Sequence, residues 1–325
     1  MHMKAAVLHG IDDIRYEDVP IPGLDTSEEY IDIAYSGICG SDTDRVYGKG
    51  AYHYPIILGH EFSGLRRQNG KKAVVFPLIP CKSCAMCQVG EFANCTNYDY
   101  YGSRRNGGFA TQIAVKSWNI IEAPDNADLK CLAMAEPAAV ALHAVTFLGL
   151  IPGQTVLITG AGPIGMLLAQ WARISGAHKI YLTDIDKRKL ALAEEFGFHE
   201  YRGETVDAAV EGTGVSAPLA DCLEAVNPKG KVVLMGNPSG DIGLTQAAYW
   251  HILRKQLTLC GTWNSTYNKF RDEWRVTVDA IASNRLDVAP LISHLFPLAE
   301  CKAAFDVIHK RKDFVNRVMF DTKGE

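Results

Sequence analysis

Three separate segments of the chain carry side chains that zinc accepts as ligands. In chain order they contain Cys39 in SGICGSD, His60 and Glu61 in YPIILGHEFSG, and Glu136 in MAEPAAVALHA. One Cys, one His and one Glu gathered from three segments make an open zinc site, whose fourth position is free for water or substrate. Taken singly, Cys39 also suits a buried structural thiol and His60 an ordinary strand end. Together they predict a catalytic metal centre whose acidic ligand is Glu61 or Glu136.

A cysteine-rich segment, CKSCAMCQVGEFANC, predicts a second and different metal site. Its four thiols follow the spacing C-x2-C-x2-C-x7-C and belong to Cys81, Cys84, Cys87 and Cys95. Four thiolates complete the tetrahedral shell of zinc and leave no position for water, so this site stabilises a lobe of the fold instead of catalysing a reaction. An iron–sulfur cluster is the alternative, because such clusters also use four cysteines at short spacings.

A glycine-rich turn between a predicted strand and a predicted helix indicates a dinucleotide site. In QTVLITGAGPIGMLLAQWARISGA the turn contains Gly160, Gly162, Pro163, Ile164 and Gly165. The first glycine allows the tight turn, the second lets the backbone approach a pyrophosphate, and the third lets helix and strand pack closely. The free N–H groups at the start of the helix then face the phosphates.

A carboxylate after the next strand favours NAD over NADP. The strand KIYLTD ends in Asp184, nineteen residues after Gly165. At this position a carboxylate bonds the hydroxyls of the adenosine ribose and repels a 2′-phosphate. Lys187 and Arg188 keep NADP as the alternative, although both also suit the solvated face of the following helix.

The composition argues against several other classes of protein. The chain has 325 residues, of which 47% are hydrophobic and 22% charged, as in globular proteins. The net charge of -4 argues against a nucleic-acid partner. The sequence contains neither a signal-peptide pattern nor a run of about 18 apolar residues that would span a membrane. We therefore expect a cytoplasmic protein, whose nine cysteines are metal ligands and buried thiols.

The surrounding sequence predicts how two of the candidate ligands are held. Gly37, Gly40 and Ser41 mark a turn into a short helix, which places Cys39 near a helix N-terminus, where a thiol pKa falls and the thiolate is favoured. Glu136 directly precedes a proline, so we expect it at the start or at a break of a helix.

The segments that position these residues indicate two domains. Residues 4–35 alternate apolar and polar runs typical of antiparallel strands, and this character continues to about residue 124. Within this stretch Asn69-Gly70, between two strand-like runs, predicts a tight hairpin. Strands and helices then alternate as in a parallel α/β unit, and the last helix and strand, in HLFPLAECKAAFDVIHKRKDFVNRVMFD, return to the β domain. We predict a catalytic domain over residues 1–127 and 289–325, and a dinucleotide-binding domain over residues 128–288.

The sequence leaves too few residues for the connection between the third and fourth strands of the parallel sheet. In the usual strand order of a doubly wound sheet, the third strand lies at one edge and the fourth strand lies on the far side of the first. Only residues 203–206 separate a candidate third strand near residues 200–202 from the fourth at Asp207–Gly212. Four residues reach at most about 14 Å, whereas a parallel crossover takes about a dozen or more residues. The third strand is therefore predicted to be absent or rudimentary.

Together and in this order, these elements resemble the zinc-dependent medium-chain alcohol and polyol dehydrogenases along nearly the whole chain. The segments most similar to members that act on sugar-alcohol phosphates are SGICGSD, YHYPIILGHEFSG, PLIPC, YYGSRRNGGFA and LRKQLTLCGTW. YGSRRNGGFA also occurs among sorbitol-type relatives. The resemblance implies the α/β class, with a GroES-like β-rich catalytic domain and a Rossmann-type doubly wound parallel sheet.

The resemblance also implies roles for the candidate ligands. Cys39 and His60 match the catalytic zinc ligands, while Glu61 and Glu136 match two acidic positions that ligate directly or through water in different members. The four cysteines of the second site match the structural zinc. The resemblance therefore implies one catalytic and one structural zinc per chain, with NAD as the second cofactor.

The proton route follows the family pattern only in part. Ser41 matches the hydroxyl that passes the substrate proton towards solvent. Many members have a histidine three residues later, but this chain has Asp44. The route beyond Ser41 therefore stays open.

We predict an NAD-dependent dehydrogenase that oxidises a secondary alcohol of a polyol or polyol phosphate to a ketone. The alternatives are a sorbitol-type enzyme for non-phosphorylated polyols and a catalytically inactive NAD-binding regulatory protein. A zinc-free quinone reductase is disfavoured by the ligand set. Candidate substrate contacts are Arg104, Lys49, Trp263 and Asn264. Relatives pair the last strand of their nucleotide domains, and the apolar LTLCGTW predicts the same, giving a homodimer or homotetramer.

Overall fold

The computed structural model describes residues 2–310 and 312–323 and divides the chain into two compact units. The first unit comprises Met1–Glu136 and Thr266–Glu325, and the second comprises Pro137–Ser265. The sequence had suggested divisions after residues 127 and 288. The segment 266–288 belongs with the first unit because the ring of Trp274 packs on that of Phe76, with centroids 5.5 Å apart.

The described residues form eighteen strands and ten α-helices. The strands are β1 (His2–Gly10), β2 (Asp13–Pro20), β3 (Glu28–Gly37), β4 (Ile56–Ile57), β5 (Glu61–Arg66), β6 (Lys72–Val75), β7 (Leu78–Ile79), β8 (Asp99–Tyr100), β9 (Gln112–Lys116), β10 (Ile120–Glu122), β11 (Thr155–Thr159), β12 (Lys179–Thr183), β13 (His199–Glu200), β14 (Val206–Glu211), β15 (Val226–Leu234), β16 (Thr258–Gly261), β17 (Ile292–Pro297) and β18 (Arg317–Asp321). The helices are α1 (Gly40–Tyr47), α2 (Ala85–Gln88), α3 (Leu129–Leu132), α4 (Ala135–Leu148), α5 (Pro163–Ile174), α6 (Lys187–Glu195), α7 (Ser216–Ala225), α8 (Gln246–Arg254), α9 (Glu273–Ala282) and α10 (Cys301–Lys310). Short 3-10 turns occupy Phe92–Asn94, Ser117–Asn119, Ala289–Leu291 and Leu298–Glu300.

The first unit is built on a seven-stranded sheet with the order β10-β6-β5-β3-β18-β17, in which β9 also pairs with β3. A three-stranded sheet, β2-β1-β4, lies in the same unit. The apolar runs near the N-terminus therefore form antiparallel strands, as predicted. Strand β18 pairs with β3, with Met319 opposite Gly37, so the end of the chain returns to this unit as expected.

The short connection between β5 and β6 contains the predicted tight turn. Gly70 has φ of 71°, in the left-handed region that glycine adopts without strain. The N–H of Gly70 donates to the carbonyl of Arg66 at 2.7 Å. The Asn69-Gly70 pair thus forms the hairpin that its sequence indicated.

The second unit is a parallel sheet covered by helices. Its order is β13-β12-β11-β14-β15-β16, which is the order 3-2-1-4-5-6 of doubly wound dinucleotide-binding folds. The third strand, β13, has only two residues, which pair with Tyr181 and Leu182. Residues 201–205 lead from it to β14 without a helix. The prediction of a rudimentary third strand is confirmed.

The hydrophobic cores lie against these sheets. In the first unit, Phe109, Phe305 and Phe320 pack their rings together beneath β1 and α10. In the second, Leu157 and Val232 contribute to a core that α7 covers. Within residues 2–310 and 312–323, no helix combines the length and the apolar character that crossing a bilayer requires.

Candidate active site and metal centres

Three of the predicted zinc ligands converge in the first unit. The ligand atoms of Cys39, His60 and Glu61 all lie within 4.8 Å of one another. The register of β3 and β5 places Gly37 opposite Glu61, which brings the two ligand segments together. Gly37 is needed here, since a Cβ at this position would lie 2.5 Å from Oε2 of Glu61. His60 and Glu61 are only 6% and 1% exposed, whereas Cys39 is partly exposed.

A buried arginine holds Glu61. The Nη1 atom of Arg317 donates to Oε2 of Glu61 at 2.7 Å and to Oε1 at 3.0 Å. The same nitrogen donates to the carbonyl of Ile38 at 2.9 Å. Arg317 begins β18 and is 5% exposed. Arg317 was not among the predicted site residues, although a lone charge directly before the apolar run VMF was a usable signal.

Asp42 lies behind His60. Its Oδ1 is 3.6 Å from Nδ1 of the imidazole, and its Oδ2 accepts a hydrogen bond of 3.1 Å from the backbone N–H of Cys39. Burial, the largest single effect, favours the neutral imidazole, but the charge and hydrogen bonding of Asp42 and Cys39 together outweigh it and raise the pKa of His60 well above its usual value. The cluster therefore attracts a positive charge. Asp42 was also missed by the sequence analysis.

Glu136 is held separately. It is not among the three side chains whose ligand atoms converge within 4.8 Å. Its Oε1 accepts a hydrogen bond of 3.3 Å from the hydroxyl of Tyr100. Burial raises the pKa of Glu136 to about 7, an effect that the charge of His60 opposes and that of Glu61 reinforces. Glu136 is the second residue of α4, next to Pro137, as the sequence indicated.

The donor set fits a divalent zinc ion. Thiolate, imidazole and carboxylate are the ligands that zinc takes in open sites. The carboxylates of Asp42, Glu61 and Glu136 are buried in or beside the cluster. Arg317 pairs with Glu61 and Arg45 lies 3.4 Å from Asp42, so the three acids outnumber these two cations. Buried negative charges of this number require compensation, which a divalent cation between Cys39 and its neighbours provides.

Ser41 lies in the first turn of α1, beside an arginine. The Nη1 atom of Arg45 donates to Oγ of Ser41 at 2.9 Å and lies 3.4 Å from Oδ1 of Asp42. Asp44, at the position where many relatives have a histidine, is exposed and lies 3.8 Å from the ammonium group of Lys49. The structure thus places Arg45, not Asp44, next to the Ser41 hydroxyl.

The four cysteines of the second predicted site also converge. The sulfur atoms of Cys81, Cys84, Cys87 and Cys95 lie within 4.8 Å of one another. Backbone N–H groups, first that of Cys87 and then that of Thr96, lower the pKa of Cys84 to about 5. The arrangement fits a closed tetrathiolate centre, because the four sulfurs lie within reach of one ion and backbone donors stabilise the thiolate of Cys84.

The glycine turn of the second unit has the geometry of a phosphate-binding loop. Gly160 follows β11 with φ of 89°, and a Cβ on Gly165 would lie 1.8 Å from the carbonyl oxygen of Gly160. Gly162 caps α5, whose first two residues are Pro163 and Ile164. The turn therefore requires glycine at positions 160 and 165. The start of α5 presents backbone N–H groups without a capping side chain.

Asp184 lies beside this turn, at the end of β12. Its Oδ2 accepts a hydrogen bond of 2.9 Å from the N–H of Ala161, and its Oδ1 accepts one of 2.8 Å from the N–H of Asp186. The register of β11 and β12 pairs Thr159 with Thr183 and so sets this distance. The structure brings the predicted ribose carboxylate and the predicted pyrophosphate loop together.

The basic residues after Asp184 have acidic partners. Lys187 is 2.5 Å from Glu200, and Arg188 is 2.7 Å from Asp186. Lys189, which the sequence analysis did not single out, places its ammonium group 3.8 Å from the position that a Cβ on Gly162 would occupy. The two cations that had suggested NADP are therefore charge-compensated.

The candidate substrate contacts differ in how they are held. Arg104 is exposed, and its guanidinium lies over the rings of Tyr98 and Tyr52, at 4.2 and 5.3 Å from their centroids. Tyr98 in turn packs against Tyr100, with centroids 6.2 Å apart. A continuous series of rings thus connects Arg104 to the side chain that bonds Glu136.

The other substrate candidates are less defined. Lys49 is exposed and has Asp44 as its neighbour. Trp263 and Asn264 lie in the second unit, where Trp263 is 56% exposed and Asn264 has φ of 55°. The metal cluster of the first unit and these two residues are thus in different units.

Two family models match the chain. The model described as alcohol dehydrogenase GroES-like domain matches residues 25–125, and the one described as zinc-binding dehydrogenase matches residues 163–283. Galactitol 1-phosphate 5-dehydrogenase of Escherichia coli (strain K12) is 34% identical over 319 residues, which cover 90% of this chain and 92% of that protein. Sorbitol dehydrogenase of Bombyx mori is 28% identical over 339 residues, with coverages of 93% and 94%.

Solved structures of dehydrogenases also superpose on nearly the whole chain. Galactitol-1-phosphate dehydrogenase from Escherichia coli superposes with a TM-score of 0.92 and 32% identity, over 98% of this chain and 100% of that chain. A zinc-binding dehydrogenase from Sinorhizobium meliloti 1021, bound to NADP, superposes with a TM-score of 0.89 and 28% identity, over 99% of both chains.

Proposed function

Because the chain belongs to the family of zinc-dependent medium-chain alcohol and polyol dehydrogenases, we propose that it transfers a hydride from a secondary alcohol of a polyol phosphate to NAD. The zinc-dependent oxidoreductase class and the GroES-like plus Rossmann-type fold predicted from the sequence are confirmed by this membership. The observation that carries the proposal is the convergence of Cys39, His60 and Glu61 in a chain that also has the glycine turn.

Cys39, His60 and Glu61 would hold the catalytic zinc, and the four cysteines of the second centre would hold the structural one. When bound, the catalytic ion supplies Lewis acidity, which lowers the pKa of an alcohol that reaches it. The carboxylate of Asp42, 3.6 Å from Nδ1 of His60, would be the outer partner that a metal-bound imidazole commonly has. Arg317 fixes the carboxylate of Glu61.

Ser41 takes the proton of the substrate hydroxyl in this proposal. Its Oγ is held by the guanidinium of Arg45 at 2.9 Å, which leaves the hydroxyl hydrogen free to be passed onward. An arginine cannot accept that proton, because its pKa is above about 12. The proton therefore leaves from Ser41 towards solvent, without a side-chain base at Asp44.

The second unit would bind NAD. The turn from Gly160 to Gly165 and the start of α5 would hold the pyrophosphate, and Asp184 would bind the ribose hydroxyls. NAD, when bound, accepts the hydride. The acidic partners of Lys187 and Arg188 support NAD over NADP, because they compensate the charges that a 2′-phosphate would need. NADP stays the alternative, supported by the Sinorhizobium meliloti protein.

The proposed substrate is a sugar-alcohol phosphate similar to galactitol 1-phosphate. The 34% identity to galactitol 1-phosphate 5-dehydrogenase supports it. Arg104 supports it as well, because its exposed guanidinium, held by two tyrosine rings and by the carbonyl of Tyr98 at 2.9 Å, keeps further N–H groups for a phosphate. The alternative is oxidation of a non-phosphorylated polyol, which the similarity to sorbitol dehydrogenase favours.

A screen of NAD reduction tests the substrate proposal. The purified protein and its Arg104→Gln variant are each assayed with galactitol 1-phosphate, galactitol and sorbitol. We expect kcat/KM to be highest for the phosphate and to fall in the variant for that substrate only. Equal values for galactitol and its phosphate would exclude phosphate recognition and favour the sorbitol-type alternative.

A catalytically inactive NAD-binding protein is the alternative from another class. The convergence of Cys39, His60 and Glu61 argues against it, because a site without chemistry has no use for an open ligand set. Metal analysis on the assayed sample separates the two. Zinc in both centres with alcohol-dependent NADH formation supports the enzyme, whereas zinc in the tetrathiolate alone without NADH formation supports the binding protein.

We also propose that two chains associate through the second unit. Strand β16 is the last of the sheet order and pairs with β15. Tyr249, Trp250 and Leu253 on α8 are 52%, 41% and 55% exposed, which gives this unit uncovered apolar surface. Light scattering on the eluted protein should give the mass of a dimer or tetramer, and a monomer mass at assay concentration would refute the association.

A further inference from the structure

The two acidic side chains at the candidate catalytic centre are restrained in different ways. Glu61 receives two hydrogen bonds from the guanidinium of Arg317, at 2.7 and 3.0 Å. Among the hydrogen bonds of the described residues, one is donated to Glu136, by the hydroxyl of Tyr100 at 3.3 Å. A permanent cation with two short bonds restrains a carboxylate more strongly than one long bond from a neutral hydroxyl. Glu136 is therefore the acid whose position a small change can alter.

Tyr100 contacts both the candidate zinc ligand His60 and the carboxylate of Glu136. It ends β8, and the edge of its ring packs against His60, with centroids 5.8 Å apart and the rings inclined by 65°. The same side chain donates to Glu136 from its hydroxyl. The ring contact fixes the hydroxyl relative to a candidate zinc ligand, so the hydrogen bond also fixes Glu136 relative to that ligand.

We propose that Tyr100 is a positioning residue that holds Glu136 back from the catalytic metal and so keeps one coordination position open to substrate. The inference rests on the proposed function. Glu136 is 9% exposed, and a buried carboxylate that loses its donor turns to another positive partner. The metal held by Cys39, His60 and Glu61 is that partner. Tyr100 thereby determines which of the two acids is free to ligate.

Cobalt(II) substitution of the Tyr100→Phe variant tests this role. The variant keeps the ring and its contact with His60 and removes only the hydroxyl. We expect Glu136 to become an additional ligand, which weakens the visible d–d bands of the catalytic cobalt and slows its release to a chelator by about 10-fold. We also expect kcat to fall. In the Glu136→Gln background, Tyr100→Phe should have no further effect on release.

Two outcomes would overturn the role of Tyr100. One is a cobalt spectrum and release rate equal to those of the unsubstituted protein, and the other is faster release, which would mean that Tyr100 holds Glu136 on the metal. The matched control is Tyr101→Phe, because the hydroxyl of Tyr101 accepts a bond from the backbone N–H of Lys116 instead of bonding Glu136. Unsubstituted protein that gave only tetrathiolate bands would instead refute the catalytic centre itself.

Discussion

The Nη1 atom of Arg317 lies 2.7 and 3.0 Å from the two carboxylate oxygens of Glu61, and both side chains are almost completely buried. Arg317 begins the last strand of the described chain, and Glu61 begins β5. The two strands lie on opposite sides of β3 in the seven-stranded sheet. The final segment of the chain therefore contributes directly to the position of a predicted zinc ligand.

Replacement of Arg317 by methionine should destabilise the first unit strongly. The variant leaves the carboxylate of Glu61 buried without its cation, and breaking a buried pair in this way costs about 3–5 kcal/mol. Urea unfolding of metal-free protein measures the change. The control is Arg67→Met, whose partner Asp32 and own side chain are 42% and 49% exposed, so that less than about 1 kcal/mol is expected. Similar changes in the two variants would contradict the importance of burial.

Alanine at Cys39 or His60 should abolish turnover and leave NAD binding intact. Each variant removes one of three converging ligands, whereas the glycine turn and Asp184 belong to the second unit. NADH fluorescence titration and zinc analysis measure the two properties on the same sample. Cys131→Ala is the matched control, because this partly buried thiol lies in α3, outside both ligand groups. A near-normal rate in either ligand variant would refute the catalytic zinc assignment.

Several of the features that the sequence identified depend on short spacings, whereas the convergence of Cys39 with His60 and Glu61 was inferred from their ligand chemistry. The four cysteines, the glycine turn and the shortness of β13 are each visible within about fifteen residues of sequence. Local patterns of this kind are reliable because the chain itself limits how far such residues can separate. The hairpin at Asn69-Gly70 was predictable for the same reason.

The features that it missed depend on contacts between distant segments. Arg317 and Glu61 are 256 residues apart in the chain, and Tyr100 and Glu136 are 36 apart. A local sequence pattern does not reveal contacts between residues this far apart in the chain. The division between the units shifted for a related reason: α9 has the composition of the helices of the second unit, but its Trp274 packs against Phe76 of the first.

Serine at Asp184 should reduce the preference for NAD. A hydrogen bond to a charged group contributes about 1.5–3 kcal/mol, so kcat/KM for NAD is expected to fall by about 10–100-fold. The value for NADP should rise, since the repelling charge is gone. Steady-state kinetics with both cofactors measure the change. Glu195→Gln, an exposed carboxylate at the other end of α6, is the control and should leave both values unchanged. An unaltered cofactor ratio in the serine variant would exclude Asp184 from the ribose site.

The stability of the second unit should depend on the ionised form of Asp207. Its Oδ2 accepts hydrogen bonds from the N–H and Oγ1 of Thr155, at 2.8 and 3.0 Å, and so links β14 to β11. The backbone bond from Thr155 is the main reason that the pKa of Asp207 lies below its ordinary value of 3.8, and burial opposes it. A lowered folded-state pKa means that the stabilisation is present above the unfolded-state pKa and is lost as the pH falls through the folded-state value.

Asp207→Asn should therefore be less stable than the unsubstituted protein at about pH 7, by about 1 kcal/mol, and the difference should shrink below about pH 4. Urea unfolding at several pH values measures both effects. Asp221→Asn provides a control of opposite sign, because burial raises the pKa of Asp221, so that this substitution should not destabilise the protein at neutral pH. A difference for Asp207→Asn that stayed constant from neutral to acidic pH would show that the carboxylate charge does not contribute to the link between β11 and β14.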